Sequence, residues 1–528
     1  MPGKKGRIIL KIKYIFIIAA VIVLVVAVFK VRHAAFVPGD YIDLDERAVI
    51  SPDYSDTVIP PNIAPLNFYI KDKAERYFVR MSARLGGDIT IYSRSAAIKI
   101  PVKKWRRLLA KNKGGNLRWE IFVRKQNRWR RYKPVINKIA NEEIDGFLVY
   151  RELFPQFYRK INMKIYQRNL ENYARKVILD SKTVSGGCFN CHTFLRKKTN
   201  KFIIQVRHKG KNYMALYDEG KISLIMPALY KPGSAYLSWH PGGDLIAISV
   251  NMAYRIFNRF FGGVPEEMLE YGDISGDIAV YNIKTNIVTT TRDISRPDRV
   301  ETQPEWSPDG KYLYFISAPR VSIEEYEKIK YDLMRIGYDE KKNAWGKPEL
   351  LISAKEAGLG VTFPKVSPDG KYLLFCMTDR SSFSILRGKT DLYLMDISSG
   401  VYRKLEINSE RTDSYHSWSS NSRWFAFVTK RDDGVFAKTY FSYLDDEGNA
   451  SKPFILPQKD PYFYDTFTGS YNVPELISEP VRVNSFVFGK EISEVDKIIN
   501  TRLDSNLSDT DVSPEGNFKN AVNSDYRY

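Results

Sequence analysis

Four stretches of this chain are nearly one stretch: LSWHPGGDLIAISV (237–250), PEWSPDGKYLYFIS (304–317), PKVSPDGKYLLFCM (364–377) and HSWSSNSRWFAFVT (416–429). Each reads as a short strand, a tight turn and an alternating strand, because Asp-Gly and Gly-Gly tolerate the positive φ of a hairpin turn. A second hairpin follows, as in DIAVYNIKTNIVTT or DLYLMDISSGVYRKL. Four-strand units recurring at intervals of roughly 50 to 70 residues are the pattern of propeller blades, each burying its faces against its neighbours. Unrelated hairpins in a β-sandwich are the alternative, and four copies of one turn argue against them.

The rest of the 528 residues divides around this array. Residues 1–13 are basic and precede an uncharged run, Tyr14–Phe29, in MPGKKGRIILKIKYIFIIAAVIVLVVAVFK. The run predicts an uncleaved transmembrane anchor over 14–32, with the basic end in the cytoplasm. A single-pass inner-membrane protein follows, with the bulk of the chain in the periplasm and nucleic acid out of reach. Short alternating stretches punctuated by Gly-Gly predict a small antiparallel β-sandwich over 45–140. Residues 141–187 read as a partly helical connector, 188–484 as the propeller, and 485–528 as a polar, poorly ordered tail. The expected fold class is therefore mostly β: a transmembrane helix, a sandwich, then a six-bladed propeller. The formal net charge is +20. It is concentrated between Pro101 and Val135, where thirteen Lys and Arg meet one acid, Glu120. Such a stretch faces an anionic partner or is simply solvated.

GGCFNCH (186–192) places Cys188, Cys191 and His192 in one window, in a chain with three Cys and five His. C-x-x-C-H is the attachment signature of c-type haem. Two thiols two residues apart reach the vinyl groups on one porphyrin edge, and the adjacent His comes under the iron. A structural zinc site needs four ligands and lacks a second C-x-x-C. A redox dithiol wants a helix N-terminus, whereas TFLRKKTNKFIIQVR follows here. Cys376, in KYLLFCM, reads as a buried free thiol. Aligning KFIIQV (201–206) with KYLYFI (311–316) sets His192 opposite Thr302 and His416 opposite Pro304. Both histidines are then expected on one face near the axis, His192 as proximal and His416 as distal iron ligand. The sixth position is otherwise open, or filled by Tyr415. His240 belongs to a hairpin turn, and His208 to a solvated surface. Met214 and Met252 are alternative sulfur ligands, and Arg151, Gln167 and Arg168 are candidates to meet the haem propionates.

The WSPDGKYLYF pattern resembles the repeats of TolB-type six-bladed propellers over about residues 188–457. The order of β-domain, connector, C-x-x-C-H and repeats with SYHSWS and KRDDG (430–434) also resembles the hydrazine synthase alpha subunits and related envelope cytochromes. That resemblance implies a propeller bearing one covalent haem c. One C-x-x-C-H stands where those enzymes carry two haems, so multihaem catalysis does not carry over.

The leading expectation is a membrane-anchored periplasmic monohaem cytochrome c with a redox or envelope-protein partner; if it is an enzyme, it is a haem-dependent oxidoreductase. The alternative is a non-catalytic envelope scaffold whose propeller binds a protein or peptide. No G-x-S-x-G, H-E-x-x-H or Walker-type run supports hydrolytic chemistry.

Overall fold

The computed structural model describes residues 37–505 and 507, apart from 154–162, 185–186, 209–210, 228–233, 258–268, 380–388 and 495–497. The chain forms two compact units, 1–141 with 458–466, and 142–457 with 467–528.

In the first unit, a seven-stranded mixed sheet runs in the order Tyr41–Arg47, Arg128–Lys133, Asn116–Lys125, Val135–Ile139, Val58–Ile59. Arg76–Ser82 also pairs with Asn116–Lys125, and Ile89–Ser93 pairs with Arg76–Ser82. A three-stranded sheet of Ile50–Ser51, Phe68–Ile70 and Ala97–Ile98 accompanies it. The ten-residue helix Val102–Lys111 buries Trp105, Leu108 and Leu109. Trp105 meets Trp119 edge-on at 6.5 Å, and Trp119 stacks on Phe68 at 5.2 Å. The expected all-strand sandwich thus contains a helix, whose few apolar residues stand at helical spacing in a stretch dominated by cations.

The second unit is an array of open sheets. Five follow in sequence and begin with the strands Cys188–Phe194, Ser234–Trp239, Arg299–Trp306, Gly360–Val366 and Asp413–Trp418. Each first strand pairs antiparallel with the next, and so on outward. A further sheet joins distant parts of the chain: Ser470–Ile477 pairs antiparallel with Phe147–Leu153, followed by Lys164–Asn169 and Arg175–Asp180. The six first strands are neighbours in a cycle, with Ser470–Ile477 next to Cys188–Phe194. Apolar clusters fill the spaces between sheets, as where Phe189, Phe194 and Phe202 meet Ile477 and Phe488.

The repeated turn explains its own recurrence. Ser307 Oγ donates to Asp309 Oδ1 (2.6 Å) and accepts from the Tyr312 N–H (3.0 Å), while the Lys311 N–H donates to Asp309 (3.1 Å). Gly310 supplies a φ of +74°. Ser367, Asp369, Lys371 and Tyr372 repeat these bonds, and Ser419, Asn421, Arg423 and Trp424 do so with Ser422 at φ +61°. In HPGG, His240 Nδ1 takes the place of the serine and accepts from the Gly242 N–H at 3.1 Å.

Several expectations are corrected. The basic N-terminus and the anchor over 14–32 lie outside the described residues. Among the described residues no helix is long and apolar enough to cross a membrane. A ten-residue helix spans about 15 Å, half of a bilayer core of about 30 Å. The single-pass inner-membrane placement, and the membrane as a partner through that helix, thus find no spanning helix among the described residues. The expected six-bladed propeller is corrected too: no sheet among the described residues closes into a propeller or barrel, and the sheets are separate open units joined by side-chain packing. Among the described residues the connector carries three strands and one short helical turn, Ser181–Val184, the pairing with Ser470–Ile477 drawing its first part into sheet. The tail from Ser485 carries a helix, Ser485–Ser493, capped by Asn484 and burying Phe488 and Ile492. Beyond it, Ile498–Asn500 and Arg502–Leu503 add parallel strands to two sheets.

Candidate functional site

Each of the six first strands carries an irregularity. Register slips between Phe189 and His192, Ala235 and Leu237, Thr302 and Glu305, Thr362 and Lys365, and Ser414 and Ser417. Ser470–Ile477 slips likewise between Asn472 and Glu475. These are β-bulges, which turn side chains away from the ladder. Tyr236 (φ 51°), Gln303 (54°), Phe363 (53°), Tyr415 (43°) and Val473 (47°) sit at them in the left-handed region. Bulky side chains there are strained, and such strain persists where surrounding structure enforces it. Here the Gln303 N–H donates to Ser249 Oγ (2.9 Å), and the Phe363 N–H donates to Gln303 Oε1. Pro304, Pro364 and Pro474 follow three of these residues, at ladder positions where no N–H is needed.

The six bulges meet around one cleft with about 570 Å³ of space, its open mouth included. Its lining runs from Cys191 and His192 through Tyr236, Gln303, Phe363 and Tyr415 to Val473. Phe363 lies 5.8 Å from Tyr236 and 4.4 Å from Tyr415, an aromatic wall facing the cysteine and histidine.

One step beyond each bulge the registers align His192, Ser238, Glu305, Lys365, Ser417 and Glu475. Lys365 Nζ donates to Glu305 Oε2 at 2.6 Å, and Ser238 Oγ donates to the same oxygen at 3.1 Å. Burial opposes the charge on Lys365, yet the Glu305 carboxylate outweighs it and raises the ammonium's pKa. Lys197 Nζ donates to Ser417 Oγ at 3.3 Å and lies 3.6 Å from Glu475. Burial pushes Glu475 up, against Lys197 and the Phe194 N–H. Sequence reasoning missed this polar tier and the aromatic wall. The recurring triplets Gln303-Pro304-Glu305, Phe363-Pro364-Lys365 and Val473-Pro474-Glu475 were a signal for both.

The cleft brings together Cys191, His192 and His416 but not Cys188, which pairs with Arg207 in register and is not among its lining residues. The register places Cys191, rather than His192, level with Pro304 and His416, because the chain from His192 to its partner Ile204 is three residues longer than from Glu305 to Tyr314, the extra length forming the turn at Leu195–Lys197. His192 is 4% exposed, and neither ring nitrogen makes a well-formed hydrogen bond, the Val149 backbone opposing its deprotonation only weakly. Burial, with Arg151 and Lys197 adding, lowers its pKa to about 3. His416 is lowered to about 3 by burial, but its ring is occupied: Nε2 meets the Leu374 carbonyl at 2.8 Å and Nδ1 meets Cys376 Sγ at 3.7 Å. Burial pushes the Cys376 thiol up to about 12, and it also raises Cys191.

The other candidates scatter. Arg151 Nη1 donates to the Phe189 carbonyl at 3.0 Å, next to the cleft. Gln167 accepts from the Val481 N–H and Arg168 donates to the Pro457 carbonyl, so both hold chain segments together. Met214 is core, and the Met252 side chain lies outside the described residues. His208 is not a surface residue; it is 2% exposed, with Nδ1 at 3.1 Å from the Val184 carbonyl.

The residues fit a covalent haem in part. His192 offers an unpartnered nitrogen beside Cys191, whereas Cys188 stands apart from the cleft and the His416 nitrogens are committed elsewhere. The reading as a membrane-anchored monohaem cytochrome is corrected. No described helix spans a membrane, no sheet closes into a propeller, and no group of three or more His, Cys, Asp or Glu among the described residues is placed to hold a metal ion.

No known family profile matches the chain. An uncharacterized protein of Agrobacterium fabrum is 26% identical over 187 residues, which cover 30% of this chain and 60% of that protein. In structure the chain is similar to TolB from Acinetobacter baumannii, with 12% identity, a TM-score of 0.41, and 71% of this chain and 85% of that one covered. A putative TolB from Agrobacterium tumefaciens has 13% identity and a TM-score of 0.34, covering 60% and 91%. The β-propeller domain of the Trilobed protease from Pyrococcus furiosus has 14% and 0.33, covering 66% and 96%.

Proposed function

We propose that this chain is a non-catalytic scaffold whose bulge-lined cleft holds a segment of a protein or peptide partner. The observation that carries the reading is the ring of six bulges, five of them strained by a non-glycine residue at positive φ, converging on an aromatic and proline-walled cleft. Strained backbone of this kind clusters at binding sites, and an apolar cleft with a few placed polar groups is what a ligand site requires. The Cys376–His416 contact beside the cleft offers no activated thiolate. Cys376 with its thiol near 12 and His416 near 3 are both neutral, the reverse of an activated thiolate–imidazolium pair.

The test is selection of a displayed random-peptide library on the immobilised protein, with Phe363→Ala and Tyr415→Ala as counter-targets. Peptides that bind the native protein and lose at least tenfold affinity for either variant support the reading. Peptides that bind all three equally, or no enrichment at all, overturn it.

A second proposal concerns cofactor content. Cys188 and Cys191 would hold one haem c through thioethers, with His192 as an axial ligand, and the His192 ring, without a well-formed hydrogen bond, favours it. Such a group would supply redox-active iron. Expression with a c-type maturation system tests it: a haem that survives denaturation and is lost in Cys191→Ala supports it, and colourless protein with both thiols free refutes it.

A further inference from the structure

The basic stretch of the first unit is sorted by the fold into two kinds of cation. On the strands four of the seven cations find acids: Lys125 meets Asp72 at 2.5 Å, Arg131 meets Asp43 at 2.6 Å, Lys133 meets Asp45 at 2.8 Å, and Arg118 lies 3.6 Å from Glu120. On the helix Val102–Lys111 four of them do not. Lys103, Lys104, Arg107 and Lys111 are exposed and make no ion pair among the described residues, and the helix carries no acid. The opposite face is pinned by buried Trp105, Leu108 and Leu109, and Trp105 Nε1 donates to the Ile63 carbonyl at 3.0 Å. The helix therefore cannot roll to hide its charges.

Lys103, Arg107 and Lys111 are four residues apart, which places them on one face about 6 Å apart along the axis. Lys104 flanks the row. We propose that this face docks an acidic segment of a partner protein, with carboxylates repeating at the same helical interval. Charge complementarity supports the assignment, and the rest of the helix surface narrows it. A helix that settles into lipid needs apolar side chains on its outer face, but every large apolar residue here except the half-buried Val102 faces inward. Single-stranded nucleic acid wants exposed aromatic rings among the cations, and the one aromatic residue of the helix, Trp105, is fully buried.

The proposal is independent of the cleft, because no cleft residue belongs to this unit. The test uses the full chain at low salt and a fluorescent helical peptide with Glu at i, i+4 and i+8. A peptide of the same composition with its Glu residues spread around the helix is the comparison. The spaced peptide is expected to bind at least fivefold tighter. The combined variant Lys103→Glu, Lys104→Glu, Arg107→Glu, Lys111→Glu is expected to lose at least tenfold with an unchanged melting temperature. Lys341→Glu with Lys342→Glu, exposed charges of the other unit, and Phe363→Ala in the cleft should each stay within twofold. Equal binding of the two peptides overturns the proposal, as does equal loss in the Lys341/Lys342 variant. So does tighter binding to phosphatidylglycerol vesicles or to oligothymidylate that the fourfold variant abolishes.

Discussion

At the scale of single residues, the two cleft histidines have the same burial and opposite surroundings. His192 is buried with no well-formed hydrogen bond, whereas His416 is held by Leu374 and Cys376. An unsatisfied buried polar group costs stability, and a satisfied one costs stability only when its partner is removed. His192→Leu should therefore change unfolding stability by less than about 1 kcal/mol or raise it, while His416→Leu should lose about 1–3 kcal/mol. Both rings sit near pKa 3 when folded, against about 6.5 when unfolded. Between those values the unfolded chain binds protons that the folded chain refuses. Stability present above pH 6.5 is then lost progressively as the pH falls toward 3. The urea midpoint should drop between pH 7 and 5, and drop less in His192→Leu. A pH-independent midpoint, or an NMR titration of His192 near 6.5, would refute this.

At the scale of elements, the hairpin turn separates backbone strain from steric conflict. Gly310 and Gly370 share a φ of +74°, but a Cβ on Gly310 would meet His240 Nε2 at 2.3 Å, and one on Gly370 would meet nothing within 4 Å. Gly370→Ala should cost about 1 kcal/mol for the positive φ alone. Gly310→Ala should cost a further 1–3 kcal/mol, roughly, because His240 is buried and must move. Equal losses in chemical denaturation would mean that the His240 ring shifts freely. These turns were legible in the chain because their bonds lie within five residues. The helix Val102–Lys111 was not. Its Val102, Trp105, Leu108 and Leu109 do recur at helical spacing, but ten residues crowded with cations and flanked by alternating stretches were absorbed into the strand reading.

At the scale of the whole molecule, the strand Ser470–Ile477 supplies both an end-to-end pairing and one side of the cleft. It pairs with Phe147–Leu153 and brings Val473, Pro474 and Glu475 to the ring of bulges. A chain ending after Gly469 should lose cooperative unfolding of the second unit and the peptide binding proposed for the cleft. A chain ending after Asp504 should keep both. Retention of a sharp thermal transition by the shorter chain would show that the pairing is dispensable.

The amino-acid sequence alone determined the repeating hairpins. A serine, an aspartate and a glycine at fixed offsets satisfy one another's hydrogen bonds and need nothing from elsewhere in the chain. It also singled out Cys191, His192 and His416 as residues of interest. The tertiary structure decided the rest. A strand from far along the chain turned the connector into sheet, and packing decided which histidine was held by hydrogen bonds. Those outcomes depend on contacts between residues far apart in the chain, and local pattern carries no record of them.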